Sequence, residues 1–416
     1  MRSIFEKKGL RFVFAANLIS MIGSGMNSAA VAWYILKATH SEIALGTLAV
    51  VQTLPAILLL PFTGVVIDRE DRRRLVMALD AARALVIAAV TVLAFSGRVR
   101  IWQLYAMNML VAAGFWMFWP TVTALIQELT PGDEFVYANT FLLAGVQGGW
   151  LIAGSIVGFV YNRIGLGGVL IVDVSSYVIS FLCYFAVRKG RHLVRRPEEH
   201  HSRMFAAESA IGQFFRELRG GIQFLSGHRE IVMLGASWAL FLSAMMTGVV
   251  VTPPLSDNLY HRGAVGYGWL NGGWGVGAFV SAFYAPMFIR RFGARPSIAI
   301  SLAMLAVLMT SAPMMPFFAL AVAVYAVMGS ARGVTGVAMN TRLMEQIPEH
   351  FMGRVQNIFY FAGTVLQLMQ SYLVGAVAEK RLIAGFSVIG FVYAMGFVSA
   401  TWPVRLPVPQ PEEVSQ

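Results

Sequence analysis

A bundle of twelve membrane-crossing α-helices, arranged as two halves of six, is the fold class this sequence predicts. Three observations predict it. First, 57% of the 416 residues are hydrophobic and only 13% are charged, about half the charged fraction of a soluble domain. Second, the apolar residues gather into twelve runs, most of them as long as the ~20 residues that cross ~30 Å of hydrocarbon. Third, the chain repeats itself. Tyr137-Ala-Asn139-Thr-Phe141-Leu-Leu-Ala144-Gly145 aligns with Val355-Gln-Asn357-Ile-Phe359-Tyr-Phe-Ala362-Gly363, and Glu128-Leu-Thr-Pro131 with Glu345-Gln-Ile-Pro348. Matches at nearly one offset, in corresponding runs, are what two parallel halves about an axis along the membrane normal produce.

The runs fall at 12–36, 43–67, 75–96, 101–125, 136–160 and 167–187, then at 230–254, 264–289, 297–312, 317–340, 354–378 and 382–402. Residues 1–187 therefore form one half and 230–402 the other, with a basic linker at 188–229 and a tail at 403–416. The linker holds an amphipathic piece near Ser209–Phe224. The run that follows Met1–Arg11 is too long for a signal-peptide core, so it is read as the first span.

The net charge is +11, yet the basic residues sit in short turns between apolar runs. They mark topology and form no nucleic-acid surface. With the N-terminus inside, the inner side carries 24 Lys and Arg, counting Arg83 in the first turns of span 3, and the outer turns carry 7, leaving Arg332 deep within a span. The bias expects both termini and the linker in the cytoplasm. Cys183 is the only cysteine, so no intrachain disulfide and no cysteine-based zinc site can form.

The turn between the second and third runs is Gly64-Val-Val-Ile-Asp68-Arg69-Glu70-Asp71-Arg72-Arg73-Arg74. Gly64, Asp68, Arg69, Arg72 and Arg73 match Gly-x-x-x-Asp-Arg-x-x-Arg-Arg, which resembles the signature between helices 2 and 3 of the major facilitator superfamily. Asp71 stands where the family has its second glycine, a variant associated with the macrolide-efflux and enterobactin-exporter-like, drug:proton antiporter branch. The resemblance covers 12–402. It implies a gate in which Asp68 faces the start of helix 11 and Arg72 bridges to Glu128, holding the halves together on the inside. In the second half the motif has decayed to Pro286–Arg295, with Arg290 in place of Asp68 and Arg295 retained. Span 5 carries Gly145, Gly148, Gly149, Gly154, Ser155 and Gly158. This partly resembles the family's antiporter signature, and it also suits plain close packing of helices.

Charges inside the spans are few, and such groups are costly in a membrane and tend to be functional. Arg332 lies about eight residues inside span 10, which the family layout puts on the central cavity, where it could meet an anionic substrate group or a structural partner. Asp173 and Asp80 are the candidates for carrying a proton. Asp80 and Arg83, three apart, are placed to pair with each other. Candidate cavity residues are Trp33, Gln52, Asn108, Trp116, Trp119 and Gln147 in the first half, and Trp238, Asn271, Trp274, Tyr325 and Gln367 in the second. Aromatics with scattered amides suit a large amphipathic ligand, and equally serve helix packing.

No phosphate loop, metal cluster or nucleophile–base spacing occurs in the polar segments, so an ATP-driven pump or a membrane enzyme is a poor reading and no cofactor is expected. The resemblance implies a monomeric secondary transporter in the bacterial inner membrane. It would export a small amphipathic compound, a macrolide-like drug or a siderophore-like metabolite, in exchange for protons. A lipid or lysolipid flippase on the same scaffold and a non-transporting receptor are the alternatives.

Overall fold

The computed structural model describes residues 8–130, 135–187 and 210–402, and the described residues hold helices and no strand. The helices are α1 Lys8–Thr39, α2 Glu42–Arg69, α3 Arg72–Phe95, α4 Ile101–Leu129, α5 Phe135–Ala186 and α6 Ala210–Ser226. They continue with α7 Arg229–Pro254, α8 Gly263–Phe292, α9 Ala294–Ser311, α10 Phe318–Gln346, α11 Glu349–Lys380 and α12 Leu382–Thr401. Only α6 is not a crossing. Most helices overrun the apolar runs by a turn or so at one end. Hydropathy marks the hydrocarbon core, whereas a helix continues until its terminal amides and carbonyls find partners. Ser41 ends one such overrun by accepting from the Ala44 amide. Asp71 caps α3 by accepting from the Arg74 amide at 3.1 Å.

Spans 5 and 6 are joined more tightly than the runs suggested. The 39-residue apolar stretch Gly148–Ala186 would be about 58 Å long as one rod, too long for a single crossing. It breaks at Gly165, whose φ of 66° lies in the left-handed region that glycine reaches without strain. The chain reverses there. Phe14 meets Phe141 and Gly25 meets Ala153, so residues 135–164 run parallel to α1. Asn17 meets Tyr184 and Asn27 meets Asp173, so residues 166–186 run antiparallel to it. Eleven apolar helical stretches thus make twelve crossings among the described residues.

The surface is as apolar as the sequence expected. Leu85 is 72% and Phe283 74% exposed, which only lipid makes affordable. The two halves meet along two seams, α2 against α11 and α5 against α8. Both seams lie away from the end that carries the linker. Gly46 abuts the Ser371 carbonyl and Gly375 abuts Glu42. Gly158 abuts Ala264, and Gly272 abuts Ser155. At the linker end α6 packs on α11, with Phe224 stacked on Phe351 at 4.6 Å between ring centroids.

Candidate gating elements and buried polar network

The signature turn staples the first half to itself. Arg72 bonds Glu128 at 3.0 Å and the Ala124 carbonyl at 3.2 Å. Arg73 reaches the carbonyls of Tyr184 and Phe185 at 2.8 and 2.7 Å, closing off the C-terminal end of α5. The side chains of Gly64, Asp68 and Arg69 lie outside the described residues, as does that of Gln147. Arg72 and Glu128 both belong to the first half, so their bridge does not join the two halves as expected. The described side-chain contacts between halves are at the far end or mid-membrane, where the small residues allow close approach.

The second half keeps part of this device. Arg295, 222 residues after Arg73, reaches the carbonyls of Ala400, Thr401 and Trp402 at the end of α12, the last at 2.8 Å. Arg342 joins α10 to α7 through Glu230 at 3.1 Å. A guanidinium at a helix C-terminus stabilises the orphan carbonyls and the helix dipole. Arg73→Ala and Arg295→Ala should therefore each destabilise the protein by about 1 kcal/mol, lowering the thermal midpoint in detergent by comparable amounts. A loss at Arg73 alone would show that only the first half depends on the contact.

A buried polar network fills the first half between α1, α3 and the second limb of α5. Asp80 accepts from Arg83 and from the Ser180 hydroxyl, the latter at 2.6 Å. The Arg83 guanidinium lies between the rings of Phe118 and Tyr177, 4.4 Å from each centroid. Tyr177 shares a 2.8 Å bond with Ser24. Asp173 accepts from Asn27 at 2.6 Å and from Ser176, and Asn17 donates to Tyr184 at 2.9 Å. Two glycines make room. A Cβ on Gly23 would sit 2.7 Å from the Asp173 carboxylate, and one on Gly114 would sit 2.9 Å from the Arg83 side chain. Asp80 and Arg83 pair as expected, while Asp173 has no cation among its hydrogen-bond partners.

The far end is closed by polar and aromatic contacts over the glycine seams. Lys37 pairs with Asp257 at 3.0 Å, Asn258 donates to Glu42 at 3.1 Å, and Ser41 donates to Glu379 at 2.6 Å. Trp33 stacks on Tyr267 with centroids 6.2 Å apart. Exposed ion pairs are worth ~0–1 kcal/mol, so the packing at the glycines carries most of the closure.

Several of the candidate cavity residues make contacts with neighbouring helices. Trp33 belongs to the far-end seam. Asn271 packs beside Gly154, and Gln367 donates to Thr53 at 2.8 Å across the halves. Asn108 is buried and bonded to Gln52 at 2.8 Å. Trp238 is buried against Phe241 and Tyr360. Tyr325 is buried, bonded to Thr252 at 3.1 Å, with Trp274 beside it. Trp33, Asn108, Trp238 and Tyr325 are buried by these contacts, whereas Gln52, Asn271, Trp274 and Gln367 are half-buried. Trp116, 40% exposed, Trp119 and Arg332 keep open surface. The seam residues Gly158, Gly268 and Gly272 were missed as a site. Their signal was the facing rows of small residues on spans 5 and 8.

Two six-helix bundles in lipid, closed on each other at one end around small residues, define a membrane transport protein. The chain belongs to the Major Facilitator Superfamily, whose profile matches residues 13–370. It is similar to an uncharacterized MFS-type transporter, YkuC, of Bacillus subtilis (strain 168), 25% identical over 64% of this chain. That match spans 60% of the relative's own length, less than two thirds. Macrolide efflux protein A of Streptococcus pyogenes is 20% identical over 86% of this chain and 85% of its own. Among solved structures, a mutant of the nucleoside transporter NupG superposes with a TM-score of 0.74 at 11% identity, covering 94% of this chain and 98% of that one. A bacterial homologue of the iron transporter ferroportin in an inward-facing state gives 0.70 at 14% identity, again over 94% and 98%. At these identities the structural likeness establishes the fold alone.

Proposed function

We propose that the protein exports a small amphipathic compound, a drug such as a macrolide or a siderophore-like metabolite, by alternating access driven by proton antiport. It would work as a monomer in the bacterial inner membrane with both termini in the cytoplasm. The observation that carries this reading is the one-sided closure. With the linker end inside, as the Lys and Arg bias expects, the glycine seams close the outer side, which leaves the inner side as the one from which an exporter would load. Similarity to macrolide efflux proteins over most of the chain supports the direction.

For the proton carrier the reading favours Asp173. It is a fully buried carboxylate held only by Asn27 and Ser176, whereas Asp80 is committed to Arg83. A buried acid whose hydrogen bonds come from neutral side chains, inside a membrane span, suits a site that gains and loses a proton. Asp173→Asn should keep the hydrogen bond to α1 and the fold, yet reduce proton-driven uptake into inverted vesicles at least about tenfold. The assay runs in a strain lacking its own pumps, against a panel of drugs and lysolipids. Parental uptake by Asp173→Asn would move the proton elsewhere. Lysolipid movement without drug resistance would identify a flippase instead.

A further inference from the structure

The two halves treat one buried position with opposite charge balance. Arg73 and Arg295 stand 222 residues apart, and the carbonyls of Tyr184 and Ala400 that they reach stand 216 apart. On those offsets Tyr177 corresponds to Tyr393, Ser180 to Gly396, Asp173 to Ile389 and Asp80 to Leu302. The contacts agree with the alignment. Ser180 bonds Asp80 in the first half. In the second, a Cβ on Gly396 would lie 3.8 Å from Leu302, so the corresponding positions are again neighbours, with no polar side chain at either.

Both tyrosines are buried, and each half carries a guanidinium inside a span. In the first half it comes from α3, as Arg83, and Asp80 neutralises it. In the second half Leu305 occupies the place of Arg83, and the guanidinium comes instead from α10, as Arg332. Leu302 stands where Asp80 stands in the first half, and Ile389 where Asp173 stands, so neither acid is repeated here. Among the described residues no carboxylate lies within 4 Å of Arg332. Its hydrogen bond is from Nε to the Met245 sulfur at 3.0 Å, a weak acceptor. The site is not sealed. Gly336 lies one turn along the same face, and a Cβ there would meet nothing within 4 Å. Gly248, three residues from Met245 on α7, is equally open. A cation in a membrane span that lacks a partner, on a wall facing free space, calls for an acceptor from outside the protein.

We propose that Arg332 is an anion-binding site that receives an acidic group, such as a carboxylate or sulfonate, on the exported compound. This rests on the export reading above and narrows it to the acidic, siderophore-like cargo, against a basic drug of the macrolide kind. The planar fork grips a carboxylate through two parallel bonds, and the positive wall disfavours a cationic cargo of the same shape. The first half, already neutral around Arg83, supplies no competing anion site.

The test uses three fluorescent probes with one apolar body, bearing a carboxylate, an uncharged amide or a quaternary ammonium. Efflux is followed from cells that lack their own pumps. The parent protein should export the carboxylate probe at least about tenfold faster than the ammonium probe. Arg332→Gln should lower carboxylate efflux about tenfold or more and leave the amide probe within about twofold, while Arg332→Lys should retain part of the preference. Leu302→Asp gives Arg332 the internal partner that Asp80 gives Arg83, and should lower carboxylate efflux as Arg332→Gln does. Equal efflux of carboxylate and amide probes by the parent, or carboxylate efflux indifferent to Arg332→Gln, overturns the anion site while leaving export standing. If the parent exports none of the probes, the export reading fails, and binding decides the anion site. The carboxylate probe should then raise the thermal midpoint of the purified parent and not that of Arg332→Gln, or of Arg332→Lys to a smaller degree if the Gln variant does not fold. No stabilisation of the parent overturns it.

Discussion

Arg83→Ala should cost about 3–5 kcal/mol, because it leaves a buried carboxylate without its cation. Asp80 and Arg83 are 0% and 2% exposed, and no water-facing route lets Asp80 shed the cost by rotating outward. The guanidinium also fills the slot between Phe118 and Tyr177, so its removal opens a cavity as well. The expected result is a variant that accumulates poorly and elutes as aggregate. The double variant Asp80→Ala with Arg83→Ala, which removes both charges, should recover a substantial part of the loss. That recovery separates the electrostatic contribution from the cavity, since the cavity is present in both variants. A parental thermal midpoint for Arg83→Ala would mean that Asp80 is already protonated or solvated, and the network would then not need its cation.

Gly158→Ala should abolish transport with little loss of folded protein. A Cβ at this position would lie 2.1 Å from the Ala264 carbonyl oxygen, and 2.9 Å from the Val265 Cα. Both obstacles are backbone, which cannot rotate away, so the α5 and α8 seam has to stay apart. Each half keeps its own core, because Gly158 packs across the halves and not within one. The population should move away from the closed far end, and transport should fall at least about tenfold. In a Cys183→Ser background, Val265→Cys should react faster with a membrane-impermeant thiol reagent added from outside once Gly158→Ala is present. Unchanged labelling with unchanged transport would show that this seam need not close in the cycle.

Much of the pairing was legible from spacing. Asp80 and Arg83 sit one helical turn apart and bond each other. Arg72 and Glu128 were matched through the family signature and bond at 3.0 Å. Arg295 was visible as a surviving repeat of Arg73, although its partners, the carbonyls of α12, were not. Side chains on different helices were the harder part. Asn27 and Asp173 are 146 residues apart, and no periodicity within either helix says which faces will meet. The cavity residues are hard to tell from packing residues for the same reason. Trp33, Trp238 and Tyr325 have the size and amphipathic character that a ligand site wants, and helix interfaces want the same properties.

The sequence by itself determined the solvent, the number of crossings, the two-fold repeat and the places where charge is concentrated. Each of these follows from local composition, because a bilayer penalises every polar group that the segment itself does not satisfy. Only the tertiary structure decided which end of the molecule is closed, that the reversal between spans 5 and 6 is made at Gly165 alone, and that Arg332 meets no carboxylate among the described residues. Those outcomes depend on helix rotation and depth relative to neighbours far away in sequence. In lipid the choice among rotations rests on close packing at small residues and a few interhelical hydrogen bonds. Such contacts leave no periodic mark in the chain that makes them.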